Sequence, residues 1–128
     1  MNPAVETALW ALFAFQCKHF LCDFVWQTQR QVQTKGIYGH LGGIEHAGLH
    51  ALTSLPAILI LTRAPAAIAA VVVVEFIVHY HVDWTKARID RVKALSVQDS
   101  IYWVYFGLDQ LVHQLTYLGI VAVLISLK

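Results

Sequence analysis

Four pairs of potential metal-ligating side chains recur at one spacing: His19/Asp23, His46/His50, His79/Asp83 and Asp109/His113 are each four residues apart. On a helix that spacing stacks both side chains one turn apart on a single face. With seven His and five Asp in 128 residues, about one such pair is expected by chance. The four pairs supply five imidazoles and three carboxylates. Eight ligands suit two divalent transition-metal ions, with an Asp bridging them, better than one. Two zinc ions are the first expectation for this mixed nitrogen and oxygen set, with iron or manganese as alternatives.

The elements that must position these pairs are apolar. Hydrophobic residues make up 58% of the chain and charged residues 13%, against roughly 45–50% and 25% in soluble domains. Four stretches, at 4–26, 41–62, 64–82 and 101–127, approach or exceed the roughly 20 residues that one bilayer crossing needs. The expectation is an all-α polytopic membrane protein, with four transmembrane helices in an antiparallel bundle forming a single domain over 1–128. The first stretch does not read as a cleaved signal, because Glu6 stands where a basic cluster would. Pro56 falls inside the second stretch, where a neighbouring helix can satisfy the freed carbonyl. The short Thr62-Arg63-Ala64-Pro65 link implies an antiparallel pair. Arg30, Lys35, Lys86, Arg88, Arg91 and Lys93 fall in the first and third loops, and only Arg63 and Lys128 on the other side. Cytoplasmic loops carry the basic excess, so both termini are expected to be periplasmic. Arg88 to Lys93 also admits a lipid-headgroup or nucleic-acid reading, but the positive-inside pattern already accounts for it. Cys17 and Cys22, five apart on one helix, point about 140° away from each other and match neither a redox pair nor a zinc ribbon.

Ionisable groups in a bilayer are costly and usually face the bundle interior. Helical rise places all four pairs at similar depth near the cytoplasmic side, where they can meet in one layer. Around them, Gln16 and Gln27 continue the His19/Asp23 face, Glu45 adjoins His46, Glu75 precedes His79 by one turn and Lys86 follows Asp83 by three residues. Such groups orient ligands or take part in chemistry. Glu75 is divided between orienting His79 and direct ligation. His81 points off the His79 face, and it and His40 are expected to be structural or interfacial. Trp26, Tyr38, Trp84, Tyr102 and Trp103 fit an interfacial belt. The run from Glu45 to His50 is not a zinc-protease helix, because its glutamate precedes the first histidine.

The segments Lys18-His19-Phe20-Leu21-Cys22-Asp23-Phe24-Val25-Trp26-Gln27, Glu45-His46 to His50, His79 to Lys86, and Asp109-Gln110-Leu111-Val112-His113 resemble a family of small bacterial inner-membrane proteins, domain of unknown function 3307. The resemblance spans nearly the whole chain and implies a multi-pass protein of the inner membrane. A looser similarity, confined to the intramembrane His and Asp pairs, links it to inner-membrane metal-dependent hydrolases.

The leading functional expectation is a dinuclear metal-dependent hydrolase acting on an amphiphilic ester or phosphoester at the cytoplasmic bilayer surface. Its ligands are His19, Asp23, His46, His50, His79, Asp83, Asp109 and His113, with Glu45 or Glu75 as general base and Lys86 facing an oxyanion. This reading needs a solvent-reachable cavity near Asp23, Asp83 and Lys86, expected between the ends of the first and third helices. A metal transporter or sensor subunit is the alternative, and the almost unbroken apolar outer halves of the helices speak against a through-route in a monomer. A third reading is a di-iron or haem redox protein, the haem version disfavoured by the three carboxylates. The expected partners are the bilayer and an amphiphilic small molecule, with no nucleic acid and with homo-oligomerisation left open.

Overall fold

Asn2 starts the first helix by accepting the Ala4 N–H on its side chain at 2.9 Å, with Pro3 in the first turn. In the computed structural model, which describes residues 2–127, α1 runs Pro3–Phe20 and continues into a π-helical turn, Leu21–Val25. A short α2, Gln29–Thr34, is opened by a capping box between Thr28 and Gln31. The remaining helices are α3 Leu41–Thr53, α4 Leu55–Leu61, α5 Pro65–Val92 and α6 Ser100–Ser126. No strand occurs among the described residues.

Four helical segments, Pro3–Val25, Leu41–Leu61, Pro65–Val92 and Ser100–Ser126, are each long and apolar enough to cross a membrane. The chain is thus all-helical and has the make-up of a multi-pass membrane protein. Large side chains such as Trp10, Phe13, Phe20, Leu111 and Leu118 lie exposed on their outer faces, as lipid-facing residues do. Lys128, counted in the loop comparison, lies outside the described residues.

Two expected elements differ in detail. The second span is not one continuous helix: it divides at Ser54, with Pro56 in the first turn of α4. At the break His50 O accepts the Ser54 N–H at 3.2 Å, the Ser54 hydroxyl at 3.0 Å and the Lys18 ammonium of α1 at 3.1 Å, so the contact from the neighbouring helix falls on His50 O and not on the Leu52 carbonyl that Pro56 frees. The third helix does not stop near residue 82 but runs on to Val92. A spanning-length criterion ends where polar residues begin. The helix itself continues, braced by Lys86 and Asp90 at 2.7 Å one turn apart.

Helices α3 and α5, α1 and α4, α5 and α6, and α1 and α6 pack together. Ala11, Phe15, Ala57, Ile58, Leu61, Tyr117, Ile120, Val121 and Leu124 form one buried apolar cluster, flanked by Ile68 and Val71 of α5. A second buried layer is polar, built by the π-helical turn, by α3 and by adjoining turns of α5 and α6. Gly36 lets the loop after α2 sit against α5, since a Cβ there would lie 3.1 Å from the Ala87 backbone. This close approach sets the position of the adjacent Lys35.

Candidate metal centre

The π-helical turn widens the end of the first span by one residue per turn, with Trp26 N–H donating to Leu21 O at 2.8 Å. Within it, Asp23 swings under His19, and His19 Nε2 lies 3.0 Å from Asp23 Oδ2. Helix α3 presents His46 and His50 one turn apart, with Nε2 atoms 3.1 and 3.0 Å from Asp23 Oδ1. From α5 comes Asp83, whose Oδ2 lies 3.1 Å from His46 Nε2 and 3.6 Å from His79 Nε2. From α6 comes His113, with Nε2 3.1 Å from Asp83 Oδ1 and 3.6 Å from Asp109 Oδ1. The His50, His79 and His113 rings stack in a row, with centroids 3.7 and 4.2 Å apart. All eight residues selected by spacing therefore meet in one buried cluster fed by four helical segments.

The donor set can be tested against a metal's needs. Asp23, His46, His50 and His79 each offer one ligand atom within 4.8 Å of the others, and so do His79, Asp83 and His113. The two groups interlock at His79, whose Nε2 can serve one ion only. Two ligands of one tetrahedral zinc, with bonds near 2.0–2.1 Å, stand about 3.3–3.4 Å apart, and the His–Asp separations of 3.0–3.6 Å straddle that edge. His46 Nε2, His79 Nε2 and Asp109 Oδ1 are buried with no hydrogen-bond partner. Buried polar atoms rarely go unpaired, because each costs about 1–3 kcal/mol. Cations held by the two groups would satisfy the His46 and His79 nitrogens, so the residues present fit the metal.

His19 and Asp109 fall outside both groups. The two nitrogens of His19 are already engaged: Nδ1 lies 2.9 Å from Tyr117 Oη and Nε2 lies 3.0 Å from Gln110 Oε1. Gln110 Nε2 also donates to Asp109 Oδ2 at 3.2 Å and to Asp23 Oδ2 at 3.4 Å, tying α1 and α6 together beneath the cluster. His19 is thereby placed to orient Asp23.

The three residues expected to carry chemistry are placed differently. Glu75 does not touch His79: it forms a buried ion pair with Lys18. Lys18 also donates to His50 O at 3.1 Å and lies 4.7 Å from the Tyr117 ring centre. A membrane-buried carboxylate needs a counter-charge, and α1 supplies it. Glu45 follows its helix outward, 3.4 Å from Arg30, with its side chain half exposed, because a residue adjoining His46 is turned about 100° from it. Lys86 is drawn to Asp90 and lies over the Tyr102 ring at 4.3 Å from its centre. His81 is exposed and 3.2 Å from Tyr38 Oη, and His40 caps α3 by accepting the Gly42 N–H at 3.1 Å. Both stay off the cluster, in line with their sequence reading.

Lys18, Lys35, Gln110 and Tyr117 were not singled out in the sequence. Lys18 carries a signal, being a cation inside an apolar span. Tyr117 carries a weaker one, lying one turn beyond His113 on the same face. Lys35 carries none, since only the approach of its loop to α5 sets its Nζ 3.2 Å from Asp83 Oδ2. Burial pulls the Lys35 ammonium down, but the Asp83, Asp23 and Asp109 carboxylates outweigh it and hold the group above its ordinary pKa.

The groove near the cluster does not lie between the first and third spans as expected, and neither Asp23 nor Asp83 lines it. With a volume of about 400 Å³, it runs between α5 and α6, with Lys86 and Asp109 in its wall. No curated protein and no solved structure matches the chain, so the looser likeness to metal-dependent hydrolases gains no support. A family model described as "Protein of unknown function (DUF3307)" matches residues 11–128, and the chain belongs to that family.

Proposed function

We propose that this protein is a membrane-embedded, two-metal hydrolase of an amphiphilic ester or phosphoester. One observation carries the reading: His and Asp side chains from four helical segments converge on two ligand groups that share His79, with His–Asp separations near a tetrahedral edge and the Nε2 atoms of His46 and His79 left without a hydrogen-bond partner. When bound, two divalent ions, zinc first, activate water and neutralise charge developing on a phosphoryl or carbonyl oxygen. The chain's own groups divide the remaining work. Asp23, His46, His50, His79, Asp83 and His113 hold the ions, and His19 and Gln110 fix the Asp23 carboxylate. Asp109, with Oδ1 unpartnered and its side chain in the groove wall, takes the role of proton acceptor in place of Glu45 or Glu75. A transporter would need a polar path through Phe15, Ile58, Leu61 and Leu124, which form a tight apolar layer, so the hydrolase is preferred.

The finer topology belongs to the same proposal. The apolar layer draws on the middle of the first span, on α4, on the first half of α5 and on the second half of α6, while the polar layer draws on the later part of the first span, on α3, on the second half of α5 and on the middle of α6. That alternation supports an antiparallel bundle with both termini on the apolar side. Together with the basic loops it favours an inner membrane with residues 27–40 and 85–99 in the cytoplasm. On a background lacking Cys17 and Cys22, a cysteine at Lys93 should be labelled only from the cytoplasm and one at Arg63 only from the periplasm. The reverse pattern would contradict the orientation.

Activity is tested with bis(p-nitrophenyl) phosphate and detergent-purified protein. Hydrolysis should depend on added zinc or manganese, fall about 100-fold in Asp109→Asn, and disappear in Asp83→Asn with helical content unchanged. Hydrolysis that ignores metal, or survives in Asp83→Asn, would count against the proposal.

A further inference from the structure

The groove between α5 and α6 shares Lys86 in its wall with a polar pocket. Its walls are apolar, from Val82 and Ile89 on α5 and Tyr105, Leu108 and Val112 on α6. Leu108 is 50% exposed, so the groove opens sideways, where lipid chains would lie. Beside it is a second pocket of about 450 Å³, lined by Lys35, Lys86, Asp90 and Arg91. Lys86 lines both and stands at their junction. The pocket carries three cations against one carboxylate. Lys35 and Lys86 each have an acidic partner, whereas Arg91 is exposed and donates only to Gln33 O, at 3.2 Å. An apolar groove that adjoins a net positive pocket at Lys86 has the complementarity of one ligand class, and both volumes fall in the range of about 300–1,000 Å³ usual for ligand sites.

From this juxtaposition we infer that the groove is a lateral entry site for a phosphate-headed amphiphile, its tail between α5 and α6 and its phosphate on Arg91, Lys86 and Lys35. The inference rests on the proposed hydrolase and names its substrate's headgroup. Asp109 lies in the groove wall together with Lys86. A tail in the groove therefore carries the bond next to the phosphate past the one cluster residue in its wall. Lys35 touches the pocket and Asp83 alike, which gives the phosphate a second link to the cluster. Arg91 suits this role, since a guanidinium offers paired donors to a phosphate.

The test measures binding of dioctanoyl phosphatidic acid, dioctanoyl phosphatidylcholine and inorganic phosphate to the full-length protein in detergent, with metal counted on the same samples. Phosphatidic acid should bind about tenfold tighter than phosphatidylcholine, and Arg91→Gln and Leu108→Trp should each weaken it about tenfold, as loss of a charge-assisted hydrogen bond or of the tail site would. Both positions are exposed, so metal content should stay at the wild-type level. Equal affinity for the two lipids, or wild-type binding by both variants, would overturn the inference. So would displacement of phosphatidic acid by inorganic phosphate at equal concentration, which would show that the tail contributes nothing. If the lipid preference and both variant effects hold but no metal is bound, the hydrolase proposal fails and the headgroup site stands.

Discussion

Lys18→Met should destabilise the protein by about 3–5 kcal/mol, the usual cost of stripping one partner from a buried ion pair. The Lys18 side chain is 7% exposed and that of Glu75 2%, and both lie within apolar spans. Removing the ammonium leaves Glu75 without its counter-charge, while its Oε2 already lacks a partner. It also removes a donor from His50 O at the break between α3 and α4. The double variant Lys18→Met/Glu75→Met should recover most of the loss, because the desolvation cost of the pair goes with it. Unfolding titrations in mixed detergent micelles measure both. Single and double variants of equal stability would show that the pair is not coupled.

The second large effect follows from occupancy of the cluster. Ions that bind only the folded state add about 4 kcal/mol per site when free metal stands about 1,000-fold above Kd. Chelation should therefore lower the unfolding midpoint sharply, and restored zinc should return it. His46→Ala should lose both bound metal and this zinc response, since His46 belongs to the first ligand group and its Nε2 lies 3.1 Å from Asp23 and from Asp83. His81→Ala, an exposed residue off the cluster, should behave as wild type. Melting curves with and without chelator decide the matter, and a midpoint indifferent to zinc would contradict it.

The helical class, the four spans and the convergence of the His and Asp pairs could be read from the chain, because each depends on a period. Apolar length marks a span, and a four-residue interval marks a face. The features that escaped depend on contacts between distant segments. Lys18 neighbours His19, and nothing in its spacing points across to Glu75 on α5. Glu45 and Lys86 looked chemical because they adjoin ligands in sequence, yet adjacency on a helix turns a side chain away from its neighbour. The π-helical turn at Leu21–Val25 has no periodic signature. It nevertheless sets Asp23 where it meets His46 and His50. The groove between α5 and α6 arises from how far apart two helices stand, which composition does not encode.

The number of ions bound measures the role of the His and Asp cluster most directly. Elemental analysis of the detergent-purified full chain, paired with protein quantitation by amino-acid analysis, should find about two divalent ions per chain, zinc first with iron or manganese the alternatives. The count should fall in His46→Ala and His113→Ala and hold in His81→Ala. Wild-type protein that carries no transition metal, and takes up none on incubation with zinc, manganese or ferrous iron, would contradict the account.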